Sequence, residues 1–340
     1  MTIGDKYISI GDIVKQGAQY RFNTFGFQEN LVPFFHSDAP QAIDTTSQLI
    51  QKLMQDAGIR KKAVNIVIPD TYSYSQIIEM PILTEKELLS AIKYQADQFI
   101  PLPIDQVNLD IDVLYENKKT KKVSLLLVAS PLSILDKVIA VVEASGLAPS
   151  VIENEASAVF RLITDINDVQ HSQNEEFPLI LFINMGYSST SFYLYNRQLN
   201  IVLQIHNFSL GYTIFLKDIQ ANLNTSDTDT KKLLESMGFS EQQTSYNIGK
   251  ILSSPLSTIV AEIERFIVSS KSRFNAPIVS AMLLGEGSGI LSLDTKLSSS
   301  IGIPVTRFDI SQYCVKNNVS DFFKDSISLF IPTIGASIRS

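Results

Sequence analysis

Residues 183–196 read "INMGYSSTSFYLYN", and they follow the apolar run Leu179–Phe182. A glycine and a cluster of hydroxyl residues interrupt what is otherwise a buried strand. Alternation then resumes at Phe192 and Leu194. A strand that only fills a core gains nothing from Gly186, Ser188, Ser189 and Thr190 at its start. Two strands joined by a turn of small hydroxylic residues are the local arrangement that offers backbone N–H groups to an anion, phosphate above all.

The same strand–turn–strand pattern opens the chain. "TIGDKYISI" (2–10) aligns with "NMGYSSTSF" (184–192), which places Gly4, Asp5 and Lys6 where Gly186 and its neighbours stand in the second copy. A third glycine-rich turn, "GEGSG" (285–289), follows the apolar run at 278–284 and carries Gly285, Gly287 and Ser288. It departs from the G-x-G-x-x-G of dinucleotide folds and lies near the end of the chain, which disfavours a Rossmann reading.

Outward from these turns, the chain reads as alternating α and β segments. A meander covers 1–29, with Gly17 at a turn. Ala42–Gly58 has helical spacing, with Gly58 at the C-cap. "KAVNIVIPD" (62–70) is a buried strand. In "EMPILTEKELLSAIKYQADQFIPLP" (79–103), Thr84 and Glu87 have capping-box spacing. Leu88, Leu89, Ile92, Ala96 and Phe99 form one stripe of a helix that Pro101 and Pro103 end. "VNLDIDVLYE" and "KKVSLLLVAS" pair as strands, and a helix runs from Pro131 to Gly146. "TDINDVQHSQNEEF" (164–177) is polar and aperiodic, the expected internal boundary. Beyond it come a helix at Asp227–Met237 capped by Ser226, and a long helix at Pro255–Arg273. The long helix should bury Leu256, Ile259, Val260, Ile263, Ile267 and Val268.

Composition narrows the function. The 340 residues carry 45% apolar and 19% charged side chains, enough for a sizeable core in two lobes. A formal charge of −7 opposes nucleic-acid binding, which needs a basic footprint. No run is long and apolar enough for a membrane span, and no secretory leader is recognisable. One cysteine, Cys314, excludes an internal disulfide and suits a reducing cytoplasm. The three histidines are scattered, so a zinc-type cage is not expected. His206 reads as a strand-end side chain, Cys314 as a small buried one, and Glu153 and Glu155 as acids serving a helix N-terminus.

The order of elements, together with "EMPILTEKELLSAIKYQADQFIPLP", resembles the PilM family of type IV pilus assembly, within the actin-like ATPase superfamily. Met80-Pro81, Glu87-Leu88, Ala91-Ile92 and Ile100-Pro101 carry the most specific likeness. "EASGLAPSVIENEASAVFRL" (143–162), "NFSLGYT" (207–213), "MLLGEGSGILSL" (282–293) and "IPTIGASIR" (331–339) extend it over nearly the whole chain. The resemblance implies an α/β, two-lobed actin-like ATPase fold, with mixed sheets around a central cleft and an inserted α/β subdomain. The corresponding segments are 1–73 for the first-lobe core, 74–146 for the insertion, and 147–175 for the return and linker. The second lobe takes 176–221 as core, 222–274 as its helical part, and 275–340 as core with the C-terminal helix.

Gly4, Asp5, Lys6, Asn184, Gly186, Ser188, Ser189, Thr190, Gly211, Gly285, Gly287 and Ser288 would then line a site for ATP and Mg²⁺. The family places an aspartate two residues before the glycine of each phosphate turn, where this chain has Thr2 and Asn184. Glu286 replaces a glycine of the adenosine turn, and Tyr212 stands where a second glycine follows Gly211. The charged pair of the ribose-side helix falls near Lys231, Lys232 and Leu234, which do not preserve it. Without the carboxylates that organise Mg²⁺, nucleotide binding is expected to be weak or lost and no catalytic residue is assigned. Only Met1 and Thr2 precede Ile3, so the first turn is expected to be poorly anchored.

The function implied is a cytoplasmic adaptor, peripheral to the inner membrane. It would bind the N-terminal tail of a PilN-like membrane protein, alongside other pilus assembly components. The tail would lie between the first lobe and the insertion, with Phe99, Ile100, Leu102 and Ile104 as candidate contacts. The alternative is an active ATPase or phosphotransferase using ATP and Mg²⁺ on the same fold.

Overall fold

The computed structural model describes residues 1–37, 39–94, 100–169, 179–240 and 248–339. The chain divides into two compact units, one of residues 1–170 with 311–340 and one of residues 171–310.

In the first unit, β1 (Thr2–Ile3), β2 (Tyr7–Gln16) and β3 (Gln19–Glu29) form the opening meander, with Gly17 at φ +62° between β2 and β3. α1 (Pro40–Asp56) buries Leu49, Ile50 and Leu53 and leads to β4 (Ala63–Ile68). The insertion comprises β5 (Tyr74–Pro81), α2 (Glu85–Tyr94), β6 (Val107–Asn117) and β7 (Lys122–Pro131). α3 (Leu132–Ala144), β8 (Ala148–Asn154) and α4 (Glu155–Val169) return to the main sheet. That sheet has the order β3-β2-β1-β4-β8, antiparallel in the meander and parallel from β1 to β8. The insertion forms its own antiparallel sheet, β5-β7-β6.

The second unit repeats this plan. β9 (Leu179–Met185), β10 (Thr190–Asn196) and β11 (Ile201–Phe208) form its meander. Next come α5 (Thr213–Leu223), α6 (Asp227–Ser236), the single turn α7 (Ile248–Ile251) and α8 (Ser253–Phe274). β12 (Ile278–Leu284), α9 (Leu293–Ile301) and β13 (Val305–Arg307) complete it. The strand order β11-β10-β9-β12-β13 is that of the first unit. Even the register agrees: Thr2 pairs with Ser9 and Asn184 with Ser191. Each meander turn is closed by its glycine, Gly4 N donating to Tyr7 O and Gly186 N to Ser189 O, both at 2.9 Å.

The chain then re-enters the first unit through α10 (Asn318–Phe322) and α11 (Ile331–Ser337). Assigning all of 275–340 to the second lobe therefore misplaces residues 311–340. α11 packs on α4 where Gly335 meets Ala158: a Cβ on that glycine would lie 2.0 Å from the Ala158 carbonyl oxygen. Thr333, fully buried, shares 2.6 Å hydrogen bonds with the hydroxyls of Thr2 and Ser9.

Several sequence expectations shift in detail. The aperiodic boundary at 164–177 begins inside α4, which continues to Val169, and residues 170–178 lie outside the described ones. α8 buries Phe266 on its core face, whereas Val268 is 67% exposed. Leu88 and Ile92 are buried under the insertion's sheet and Leu89 is half-buried; Ala96 and Phe99 lie outside the described residues. The first turn is firmly held rather than poorly anchored. Asn30 Nδ2 donates to Gly4 O at 2.5 Å, Asn30 N donates to Lys6 O at 2.8 Å, and Val67 N donates to Met1 O at 2.8 Å.

Candidate functional site

The small-residue turns of the second unit converge. Gly211 lies directly on the 186–189 turn: a Cβ there would be 2.5 Å from Gly186 O and 2.6 Å from Ser189 N. Gly285, at φ +72°, approaches Met185 O and Asn184 Oδ1, at 2.5 and 2.9 Å from its notional Cβ. Gly287 presses on the Met185 side chain in the same way. Ser288 is turned inward, its hydroxyl donating to Gly285 O at 2.7 Å. Asn184, Gly186, Ser188, Ser189, Thr190, Gly211, Gly285 and Gly287 are thus brought to one place by three separate stretches of chain.

The amides at the N-terminus of α5 are already engaged. The free N–H groups at a helix N-terminus are what an anion uses. At α5, however, Tyr212 N donates to Gly186 O at 2.8 Å and Thr213 N to Tyr187 O at 2.9 Å. Ile214 N and Phe215 N close onto Gly211 O and Tyr212 O. Thr190 Oγ1 is drawn to Leu210 O at 2.6 Å. A Cβ on Gly186 would lie 3.9 Å from the Glu286 carboxylate, which sets a negative charge beside the turn. Asn184 is buried, its Nδ2 3.4 Å from the Tyr193 hydroxyl. Among the described residues, no group of three or more His, Cys, Asp or Glu could hold a metal ion.

The first unit's turn is tied down by different partners. Asp5 accepts from the Tyr72 hydroxyl at 2.7 Å, and that hydroxyl also meets His36 Nε2 at 3.0 Å. Burial first, then the bond to Asp5 and its charge, push the Tyr72 phenol well above its ordinary range. Lys6 pairs with Glu29. Thr2, at the family's aspartate position, is bonded to Thr333.

A second place stands out in the first unit, and the glycine pattern did not point to it. A groove of about 740 Å³ lies between the insertion's sheet and the β8–α4 region. Alternation along β6 explains one wall. Val107, Leu109 and Ile111 pack into the core shared with α2, and Asn108, Asp110 and Asp112 line the groove. Val128 on β7 adds an apolar surface; Ser157, Arg161 and Thr164 on α4, with Arg339, form the other side. Among the described residues β6 is also an edge strand, with β7 on one side only.

Glu153 is the hub of that second wall. It is buried, bonded through both oxygens to Arg161 and through Oε2 to Arg339 Nη1 at 2.6 Å. It is therefore an ion-pair centre rather than an acid serving a helix N-terminus. The N-terminus of α4 is served instead by Asp70, whose Oδ1 accepts from Ala156 N at 2.9 Å. No sequence spacing links Glu153 to Arg339. The alternation of β6 was legible, but its polar face reads as solvent-facing until the sheet is placed.

The described candidate contacts of the 98–107 turn differ in burial. Ile100 is buried in the core of the insertion and Ile104 packs against it, because the prolines fold the loop back on the sheet. Leu102 is 37% exposed. Phe99 lies outside the described residues.

Comparison with known proteins agrees with the topology. A solved PilM-PilN type IV pilus biogenesis complex matches at TM-score 0.83 and 17% identity, over 99% of this chain and 96% of that one. The ethanolamine utilization protein EutJ from Carboxydothermus hydrogenoformans matches at TM-score 0.54 and 8% identity, over 100% of this chain and 88% of that one. The fold is that of the actin-like ATPases. No described helix is long and apolar enough to cross a membrane. The profile of the type IV pilus assembly protein PilM family spans residues 1–339, and the chain belongs to that family.

Proposed function

We propose that this protein is a non-catalytic adaptor whose groove, between the insertion and the first unit, receives the N-terminal tail of a PilN-like membrane protein. The observation that carries this reading is the groove itself, walled by the polar face of β6 and floored by apolar residues. An extended peptide held between two walls is recognised through the pockets that take its alternate side chains. The likeness to a PilM bound to PilN supports the same partner. In this role the protein works in the cytoplasm, held at the inner membrane by its partner and next to other pilus assembly components.

ATP and Mg²⁺ are not part of the proposed function. Three features support that view: the α5 amides are used by the 186–187 carbonyls, Glu286 stands beside the turn, and Thr2 and Asn184 replace carboxylates. These residues do not fit a magnesium-bound triphosphate, and no chemical step is assigned to them.

The test is a fluorescence-anisotropy titration of the purified chain with a labelled peptide copying the partner's N-terminal tail. Saturable binding that Val128→Arg abolishes, with the melting transition retained, is the expected result. Absence of binding, or binding indifferent to Val128→Arg, overturns the proposal.

A further inference from the structure

The two walls of the groove carry opposite charge. On the insertion's wall, Asp110 and Asp112 are exposed. Asp110 accepts only from the adjacent Ile111 N–H, at 3.0 Å, and Asp112 makes no hydrogen bond or ion pair among the described residues. On the other wall, one buried carboxylate, Glu153, is shared by two guanidiniums. Their sum is one net positive charge. Arg161 is engaged further by Gly335 O at 2.9 Å, but Arg339 makes a single bond, through Nη1. Its remaining N–H groups have no partner among the described residues and its side chain is 38% exposed. An arginine fork with unused donors beside a groove is a carboxylate-binding group.

Successive side chains of an extended peptide point to opposite sides. A strand lying between these walls therefore presents alternate residues to Asp110 and Asp112 and to Arg339. We propose that the groove reads charge in this alternating way. Its occupant is an extended peptide with a basic side chain facing Asp110 and Asp112 and an acidic one facing Arg339. The two sit at odd spacing in the peptide, adjacent or three apart. This rests on the peptide-groove reading above and adds to it the chemistry of the occupant. Opposite charges on facing walls also exclude the peptide shifted by one residue, which sets lysine against arginine and glutamate against aspartate. Register is thereby selected.

Two labelled ten-residue probes test this, both rich in valine and threonine to favour extended chain. One has lysine next to glutamate and the other has them two apart, and both are titrated into the full chain by anisotropy. The expected result is that the odd-spaced probe binds at least about tenfold more tightly, the factor one charge-assisted bond supplies. Arg339→Gln should remove that preference, and should leave unchanged the binding of an odd-spaced probe whose glutamate is replaced by glutamine. Asp112→Asn, at an exposed side chain without hydrogen bonds, should weaken only probes that contain lysine. Glu153 keeps Arg161 in the Arg339→Gln protein, and a retained melting transition confirms its folding. Equal binding of the two probes, or a preference that survives both substitutions, overturns the charge reading. If probe binding is also indifferent to Val128→Arg, the groove reading fails with it; if Val128→Arg abolishes it, only the charge reading falls.

Discussion

Thr84 and Glu87 show how a short-range pattern becomes energy. Glu87 Oε2 accepts from Thr84 N at 2.8 Å, and Glu87 N reaches Thr84 Oγ1 at 3.4 Å, so the box at the start of α2 closes. The bond from the Thr84 backbone, then that from its hydroxyl, hold the Glu87 carboxyl below the ordinary glutamate range. A depressed folded pKa stabilises above the unfolded pKa, and the contribution disappears as pH falls through the folded value. A carboxyl-detected NMR titration should find Glu87 shifted down in the native protein and only partly restored by Thr84→Ala, which removes the hydroxyl bond and keeps the backbone one. Gly211 illustrates the opposite constraint, where the environment forbids a side chain. Its Cβ would meet backbone at 2.5 Å, so Gly211→Ala must push the 186–189 turn away from α5. A loss of about 1–3 kcal/mol in urea unfolding is expected, the range for a strained backbone contact. An unchanged midpoint shows that the turn and the helix are not locked together.

At the scale of elements, α11 closes the first unit by lying on α4 and across β2 and β4 of the sheet. Gly335 allows the close approach, and Thr333 joins Thr2 and Ser9. Gly335→Ala should therefore cost stability even though alanine is the better helix former, because a contact at 2.0 Å cannot be relieved by a side-chain rotation. A lowered thermal midpoint with unchanged helix content by circular dichroism is the expected outcome. The insertion depends on α2 in a simpler way. Ile92 is fully buried beneath the sheet, and Ile92→Ala should cost about 2–5 kcal/mol. Limited proteolysis should then cut within residues 74–131 before the second unit is touched.

For the whole molecule, the two units share one strand order and one turn geometry, yet their turns are held by unrelated contacts. The first is fastened by Asn30, Tyr72 and Thr333, the second by α5 and the 285–288 turn. Isothermal calorimetry with ATP and Mg²⁺ is expected to give no saturable heat at concentrations of about 1 mM, the upper end of ordinary substrate affinities. Replacing Asn184→Asp and Glu286→Gly together should leave this unchanged, since the α5 amides stay bonded to Gly186 and Tyr187. Recovery of Mg²⁺-dependent binding in that variant makes charge alone the cause.

Sequence by itself determined the class of fold and its duplication. Periodicity, caps and turn glycines act over a few residues, and "TIGDKYISI" against "NMGYSSTSF" carries the repeat openly. It also placed the departures from the family pattern at Thr2, Asn184, Tyr212 and Glu286, because a missing carboxylate or a replaced glycine is visible without coordinates. Tertiary structure alone decided that residues 311–340 return to the first unit and that Glu153 unites Arg161 with Arg339. It also decided that the polar face of β6 borders a groove and that Ile100 is core. Each of these depends on which segments, far apart in the chain, come to lie side by side. Alternation says which residues share a face, and only packing says what that face meets.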